Sequence, residues 1–254
     1  MKLLKVNFYK LFQKKGYLVF AAFIMFFVLS SAVAYSGASA DDLNLMLQDF
    51  TSMKYIWLAS TDLLYQGTTL FTLMLLGLIL TNLYFEDFKT GCYKYIIISG
   101  VKKENFFACK VLFTFIVSIT FAVFSFLCVT IIGIIFWGTN EINIKELGEA
   151  FLFYILAVIP IASFCFLLYD IALIIKNIRI VNFIAVVTPL IMGLVDSLTS
   201  SKKISPVGLL TIFNQKPPTE YMPDMSGYII IESIWMVVFI LINFILQKHY
   251  QDTI

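Results

Sequence analysis

The stretch VLFTFIVSITFAVFSFLCVTIIGIIFW, from Val111 to Trp137, contains no charged side chain. A helix needs about 20 predominantly apolar residues to cross the hydrocarbon of a bilayer, and this stretch exceeds that without a break. Working outward, five more blocks qualify: about Tyr17 to Tyr35, Leu63 to Phe85, Ala150 to Ile175, Ile180 to Leu198 and Tyr228 to Leu246. Composition agrees, with 60% hydrophobic and 13% charged residues, where a soluble domain has roughly 45–50% apolar and about 25% charged. No segment between the blocks is long enough to bury an aqueous core, so residues 1–254 read as one domain. The expected fold is all-α and integral to the membrane. It has six transmembrane helices, an interfacial helix at the start and a cytosolic helix between spans two and three.

Six crossings put both ends of the chain on one side, and the positive charges say which. Lys2, Lys5, Lys10, Lys14, Lys15, Lys89, Lys94, Lys102, Lys103, Lys110, Lys176, Arg179 and Lys248 fall on one face, 13 of the 18 Lys and Arg residues. The other face holds Lys54, Lys145, Lys202, Lys203 and Lys216 among acids such as Asp41, Asp42, Asp49, Glu141, Glu146, Glu149, Glu220 and Asp224. Lys and Arg are retained on the cytoplasmic side, so both termini are expected in the cytosol, with the chain in the cytoplasmic membrane. The basic start, apolar run and Ala38-Ser39-Ala40 also resemble a cleavable leader. Its apolar run is nearer a full span than a signal core, so it is expected to stay.

In residues 1–15, Leu3, Leu4, Val6, Phe8, Leu11 and Phe12 supply apolar surface and Lys5, Lys10, Lys14 and Lys15 supply charge. A basic amphipathic helix in the cytoplasmic interface fits that composition. The cysteines, Cys92, Cys109, Cys128 and Cys165, lack close paired spacing and His249 is the only histidine. No metal site is therefore expected, and the thiols read as packing residues.

The segment from Phe85 to Lys110, FEDFKTGCYKYIIISGVKKENFFACK, mixes charged and apolar residues too closely for a solvated linker. Ser99-Gly100 marks a turn. The segment therefore reads as a short amphipathic helix, a turn and a basic lead into span three.

Here the chain resembles the ABC-2 type permeases, the transmembrane subunits of one class of ATP-binding-cassette exporters. The matching positions are Glu86, Gly91, the run Tyr95 to Ile98, the turn Ser99-Gly100, Lys102 with Lys103, and Lys110. Cys92 stands where that family commonly has Thr, and lysine replaces its usual Arg. The resemblance implies that this segment is a coupling helix seated on a separate ATPase subunit. Tyr93, Tyr95 and Ile96 to Ile98 would form the apolar center and Glu86, Asp87, Lys102 and Lys103 the charged rim, as transient interfaces require. Read as packing alone, the same charges cap helix ends and the apolar run lies under the bundle.

The chain has no G-x-x-x-x-G-K-[ST] phosphate loop, so it is expected to lack ATPase activity. ATP and Mg would be bound by the partner ATPase, with no cofactor in this chain. A second permease copy or a homologous permease and membrane lipid complete the expected partners, and no nucleic acid is among them. The resemblance favours outward movement of an amphipathic substrate, peptide or toxin in kind, with bacteriocin export or immunity as examples. Lipid, drug or ion export is the alternative within the class, and a non-transporting scaffold or sensor subunit the alternative outside it.

Ionisable residues inside a span are costly and usually functional. Asp170 lies near the cytosolic end of span four with Lys176 and Arg179 close by, Glu232 in the outer part of span six, and Asp62 and Asp196 at outer ends. Span two carries Gln66, Thr68, Thr69, Thr72, Thr81 and Asn82. Gln66, Thr69 and Thr72 share a face that either lines a path, together with Glu232, or glues helices together with help from Gly67 and Gly77. Pro160 and Pro189 fall inside spans four and five. The patch Val207 to Phe213, within the loop 199–227, suggests an interfacial or partly re-entrant piece.

Overall fold

The computed structural model describes residues 2–37, 51–65, 67–89, 103–139, 142–175, 177–198, 204–211 and 226–252, and every regular element among them is helical. In chain order these are α1 (Lys2–Gln13), α2 (Gly16–Gly37), α3 (Ser52–Leu64), α4 (Gly67–Lys89), α5 (Lys103–Trp137), α6 (Ile144–Ile175), α7 (Ile178–Leu198), a 3-10 turn (Gly208–Thr211) and α8 (Ser226–Asp252). Five of them, α2, α5, α6, α7 and α8, are long and apolar enough to cross a bilayer, which makes the chain an all-α multi-pass membrane protein. The sixth expected crossing, Leu63 to Phe85, falls across α3 and α4. The apolar run of α4 extends only from Leu70 to Phe85 among the described residues.

The bundle is built around α6. Of its most apolar stretch 67% is buried, against 22% for α2 and 17% for α8, so those two helices face outward and α6 does not. It packs against α3, α4, α5, α7 and α8, and Pro160 sits in its buried middle. On α2 the buried residues are Phe20, Ile24, Val28 and Ala32. That spacing of four follows one helix face, while Phe26 and Val33 point out. Lipid accepts apolar side chains on the outer face too, so the stripe leaves little trace in the sequence.

Two glycines let α4 pack closely against its neighbours, Gly77 against α6 and α7 and Gly193 from the α7 side. A Cβ on Gly77 would lie 2.6 Å from Leu168 Cδ1, on α6, and 3.6 Å from Ala185 Cβ, on α7; one on Gly193 would lie 2.8 Å from Leu70 Cδ1. Small residues let helix backbones approach in lipid, and here one sits on each helix of the α4–α7 pair. One turn beyond Gly77, on the side away from Gly193, the Thr81 hydroxyl donates to Asn182 Oδ1 at 3.2 Å.

Helix α3 was not expected from the sequence, which reads there as an outer loop. Thr51 caps its start, its side chain accepting from Lys54 N–H at 3.3 Å, a standard N-cap device. Met53, Ile56, Ala59, Leu63 and Leu64 are then buried on one side. Asn143 caps α6 in the same way through Lys145 N–H at 3.0 Å, and Asn177 caps α7 through Arg179 N–H at 3.1 Å. Both α5 and α6 begin several residues before the apolar blocks that announce them, because polar residues with good caps extend a helix out of the hydrocarbon.

Contacts divide the bundle into two ends. At one, α1, the end of α4, the start of α5 and the ends of α6 and α8 meet: Tyr84 hydrogen-bonds Thr114, the Tyr84 and Tyr169 rings lie 4.4 Å apart, and Gln247 donates to Tyr169 Oη at 2.7 Å. At the other, Tyr35 Oη donates to Asp62 Oδ2 at 2.7 Å, Trp137 stacks on Tyr55 at 4.7 Å, and Trp235 Nε1 donates to Ile204 O at 2.7 Å. Asp62 is largely buried beside α2, and that desolvation raises its pKa although the Tyr35 hydroxyl opposes it.

Candidate functional site

At the first end, Asn7 and Lys110 join α1 to α5. The buried face of α1 is Leu4, Asn7, Phe8 and Leu11, while Val6, Tyr9 and Phe12 are exposed. Of the six residues expected to supply its apolar surface, Val6 and Phe12 are exposed, and an asparagine sits in the buried stripe. Lys110, expected among the surface cations, is only 3% exposed. Its Nζ donates to Asn7 Oδ1 at 2.9 Å and lies 5.4 Å from the centroids of both Tyr84 and Phe106. Desolvating an ammonium is costly, and a carbonyl oxygen with two ring faces offsets that cost. The Phe8 ring packs edge-on against Phe113 at 5.1 Å on the same face. Sequence reasoning placed Lys110 correctly as the lysine before span three and missed Asn7, whose i, i+4 spacing with Leu11 and Leu3 was the available signal.

The residues expected to dock an ATPase divide around this joint. Glu86 and Asp87 lie in the last turn of α4, and Lys103 opens α5. Gly91, Tyr95, Ile97 and Lys102 lie outside the described residues. The two helices that flank residues 90–102 thus end at the α1 end of the bundle.

At the opposite end, Glu232 is 1% exposed and Asp196 is 1% exposed. Glu232 Oε1 accepts from Leu209 N–H at 3.3 Å, the Gly208 amide also points at this carboxyl, and Asp196 is close enough to interact with it electrostatically. Val207, Leu209 and Leu210 are fully buried. The patch expected to be interfacial or re-entrant therefore enters the bundle as a 3-10 turn, and Glu232 receives the turn's free amides. This satisfies groups that short helices otherwise leave unpaired.

Of the expected span-two face, Gln66 lies outside the described residues and Thr69 is placed only as backbone of α4. Thr72 is fully buried, with no hydrogen-bond partner for its hydroxyl. Thr81 and Asn82 turn their polar atoms to helix carbonyls, Thr81 to Gly77 O at 2.7 Å and Asn82 to Leu78 O at 2.7 Å. Thr81 and Asn82 therefore serve helix contacts. Among the described residues Glu232 interacts with the 3-10 turn, through the Leu209 amide and beside that of Gly208.

Asp170, 4% exposed, lies on α6 facing Asn243 of α8 without reaching hydrogen-bond geometry. Asn243 Oδ1 accepts from Gln247 at 3.4 Å, and Gln247 also reaches Tyr169. A polar run therefore crosses the α6–α8 interface, where each member lowers the cost of burying its neighbour. Of the neighbours expected for Asp170, Lys176 lies outside the described residues; among the described residues the polar group facing it is the Asn243 amide on another helix. Among the described residues no three His, Cys, Asp or Glu side chains converge. Comparison of the chain with family models, curated proteins and solved structures gives no match.

Proposed function

We propose that the chain is the permease subunit of an ATP-driven exporter of the ABC-2 type, moving an amphipathic substrate outward with a separate ATPase subunit as its motor. The observation that carries the reading is the bracketing of residues 90–102. Helix α4, with Glu86 and Asp87 in its last turn, leads into the segment, and α5 leads out from Lys103. Both meet the buried Asn7–Lys110 joint, so a partner pressing on the segment pushes directly on two bundle helices and on α1. On this reading α4 is the sixth crossing, the basic end is cytosolic, and a second permease copy completes the pathway. The amphipathic first helix and the resemblance at Glu86, Gly91, Ser99-Gly100, Lys102 and Lys110 support the same assignment.

The test is a pair of substitutions, Glu86→Lys with Ile97→Asp, in chain co-expressed with a candidate phosphate-loop ATPase that copurifies with the wild type. Ile97 lies outside the proposed hydrocarbon span, so Asp there costs little insertion energy, whereas in a docked interface it is buried without a partner at a cost of several kcal/mol. Expected is normal membrane expression with loss of ATPase copurification. Undiminished copurification at normal expression refutes docking by this segment.

A further inference from the structure

The surface between α1, α2, α4 and α5 carries a half-open groove of about 240 Å³. Phe12, Tyr17, Ala21, Ile79, Thr120 and Phe124 are among its walls. The Thr120 hydroxyl donates to its own helix, to Ile116 O at 2.7 Å, and so is not a free group for a guest. A water molecule needs two to four polar partners, which this lining does not offer. The floor is closed by Phe20 against Phe121 at 4.6 Å. Phe12 and Tyr17, edge-on at 5.0 Å, stand at the mouth and are 55% and 38% exposed.

The mouth is fixed by backbone. Lys15 has φ 53°, a left-handed conformation uncommon outside glycine, and it turns α1 into α2. The next residue must be small: a Cβ on Gly16 would lie 3.3 Å from Ile79 Cγ2. Lys14 and Lys15, both exposed, belong to that turn, between Phe12 and Tyr17 at the mouth in the chain. Two helices that cross the bilayer, α2 and α5, form the other walls.

We propose that this groove binds one acyl chain of an anionic phospholipid, with the headgroup phosphate at Lys14 and Lys15. The wholly apolar trough selects a hydrocarbon chain, and the paired lysines of the turn select negative charge. The inference is independent of the transport reading.

Native mass spectrometry of the purified chain, extracted in equal phosphatidylglycerol and phosphatidylcholine, tests it. Each lysine near an anionic surface contributes roughly a fivefold preference, so retained phosphatidylglycerol should exceed phosphatidylcholine by about 25-fold. Lys14→Gln with Lys15→Gln should bring the two lipids near parity. Ala21→Phe and Thr120→Phe fill the groove from facing walls, and each should lower retention of either lipid by about fourfold per excluded methylene. Folding is checked by the thermal midpoint of the helical signal. In unmodified chain, phosphatidylglycerol with an acyl diazirine should label residues 8–21, 76–79 or 117–124. Labelling elsewhere overturns the proposal, as do wild-type retention in a folded filled variant, an unchanged lipid ratio in the lysine variant, or an apolar peptide in the groove in place of lipid.

Discussion

Replacing Asn7 by Leu should destabilise the chain, and replacing Lys110 by Met as well should restore most of the loss. In the wild type the Lys110 ammonium, 3% exposed, donates to Asn7 Oδ1 at 2.9 Å. A hydrogen bond to a charged group contributes about 1.5–3 kcal/mol, and its loss leaves the buried donor with its desolvation cost. Asn7→Leu alone should therefore cost about 2 kcal/mol, less a few tenths for added apolar contact with Phe8 and Leu11. Lys110→Met alone strands the Asn7 amide and should cost about 1–2 kcal/mol. The double variant removes the ammonium together with its Asn7 acceptor, a change that costs less than leaving either one unpaired. The coupling energy should then be about 2 kcal/mol or more, with the double variant more stable than Asn7→Leu. Unfolding of the four forms by sodium dodecyl sulfate in mixed micelles, followed by helical circular dichroism, measures each difference. Additive single effects within about 0.5 kcal/mol would refute the joint.

Gly77→Ala should destabilise the α4–α6 contact, since the new Cβ falls 2.6 Å from Leu168 Cδ1 on α6. Leu168→Ala in the same background should recover part of the loss of about 1–3 kcal/mol, read by the same unfolding assay. Glu232→Gln keeps an acceptor for the Leu209 amide, whereas Glu232→Leu strands it at about 1–3 kcal/mol. Hydrogen exchange at Leu209 should therefore rise sharply in the leucine variant and little in the glutamine variant. The Asp62 carboxyl has its pKa raised above 3.8 by burial, so the folded state favours the protonated form. Its stability contribution is fully present below that ordinary value and is lost as pH rises through the folded one. Asp62→Asn, which retains an acceptor for the Tyr35 hydroxyl, should flatten this decline and raise the unfolding midpoint at neutral pH. An unaltered pH profile would exclude Asp62 as its source.

The spans were legible because hydrocarbon imposes its length on the sequence: Val111 to Trp137 can be little else. Which way each span faces was not. In water, Phe20, Ile24, Val28 and Ala32 would stand out against a polar face, but in lipid Phe26 and Val33 satisfy the opposite face equally well. Helix α3 was hidden for another reason. Its Ser, Thr, Lys and Asp content resembles a loop, and only the cap at Thr51 with the four-residue spacing of Ile56, Ser60 and Leu64 marks it. The polar residues of span two left a path and helix glue equally open, and Thr81 and Asn82 bond to helix carbonyls. Lys110 was read only as a basic residue of the cytoplasmic face at the start of span three; its partner Asn7 lies 103 residues away in the chain, beyond any local pattern.

Helix α5 is one unbroken rod of 35 residues, about 52 Å at 1.5 Å per residue and longer than the roughly 30 Å hydrocarbon. It is gripped near its start by Asn7 at Lys110 and at its end by the Tyr55 ring on Trp137. A rod held at two points about 40 Å apart has few soft modes. Rocking it by about 5° about one grip carries the other through about 3.5 Å by that length, more than half a helical turn. Helix α1 and helix α3 are thus tied to the two ends of one rod, and a tilt of that rod displaces both without a change of conformation in any residue between the grips.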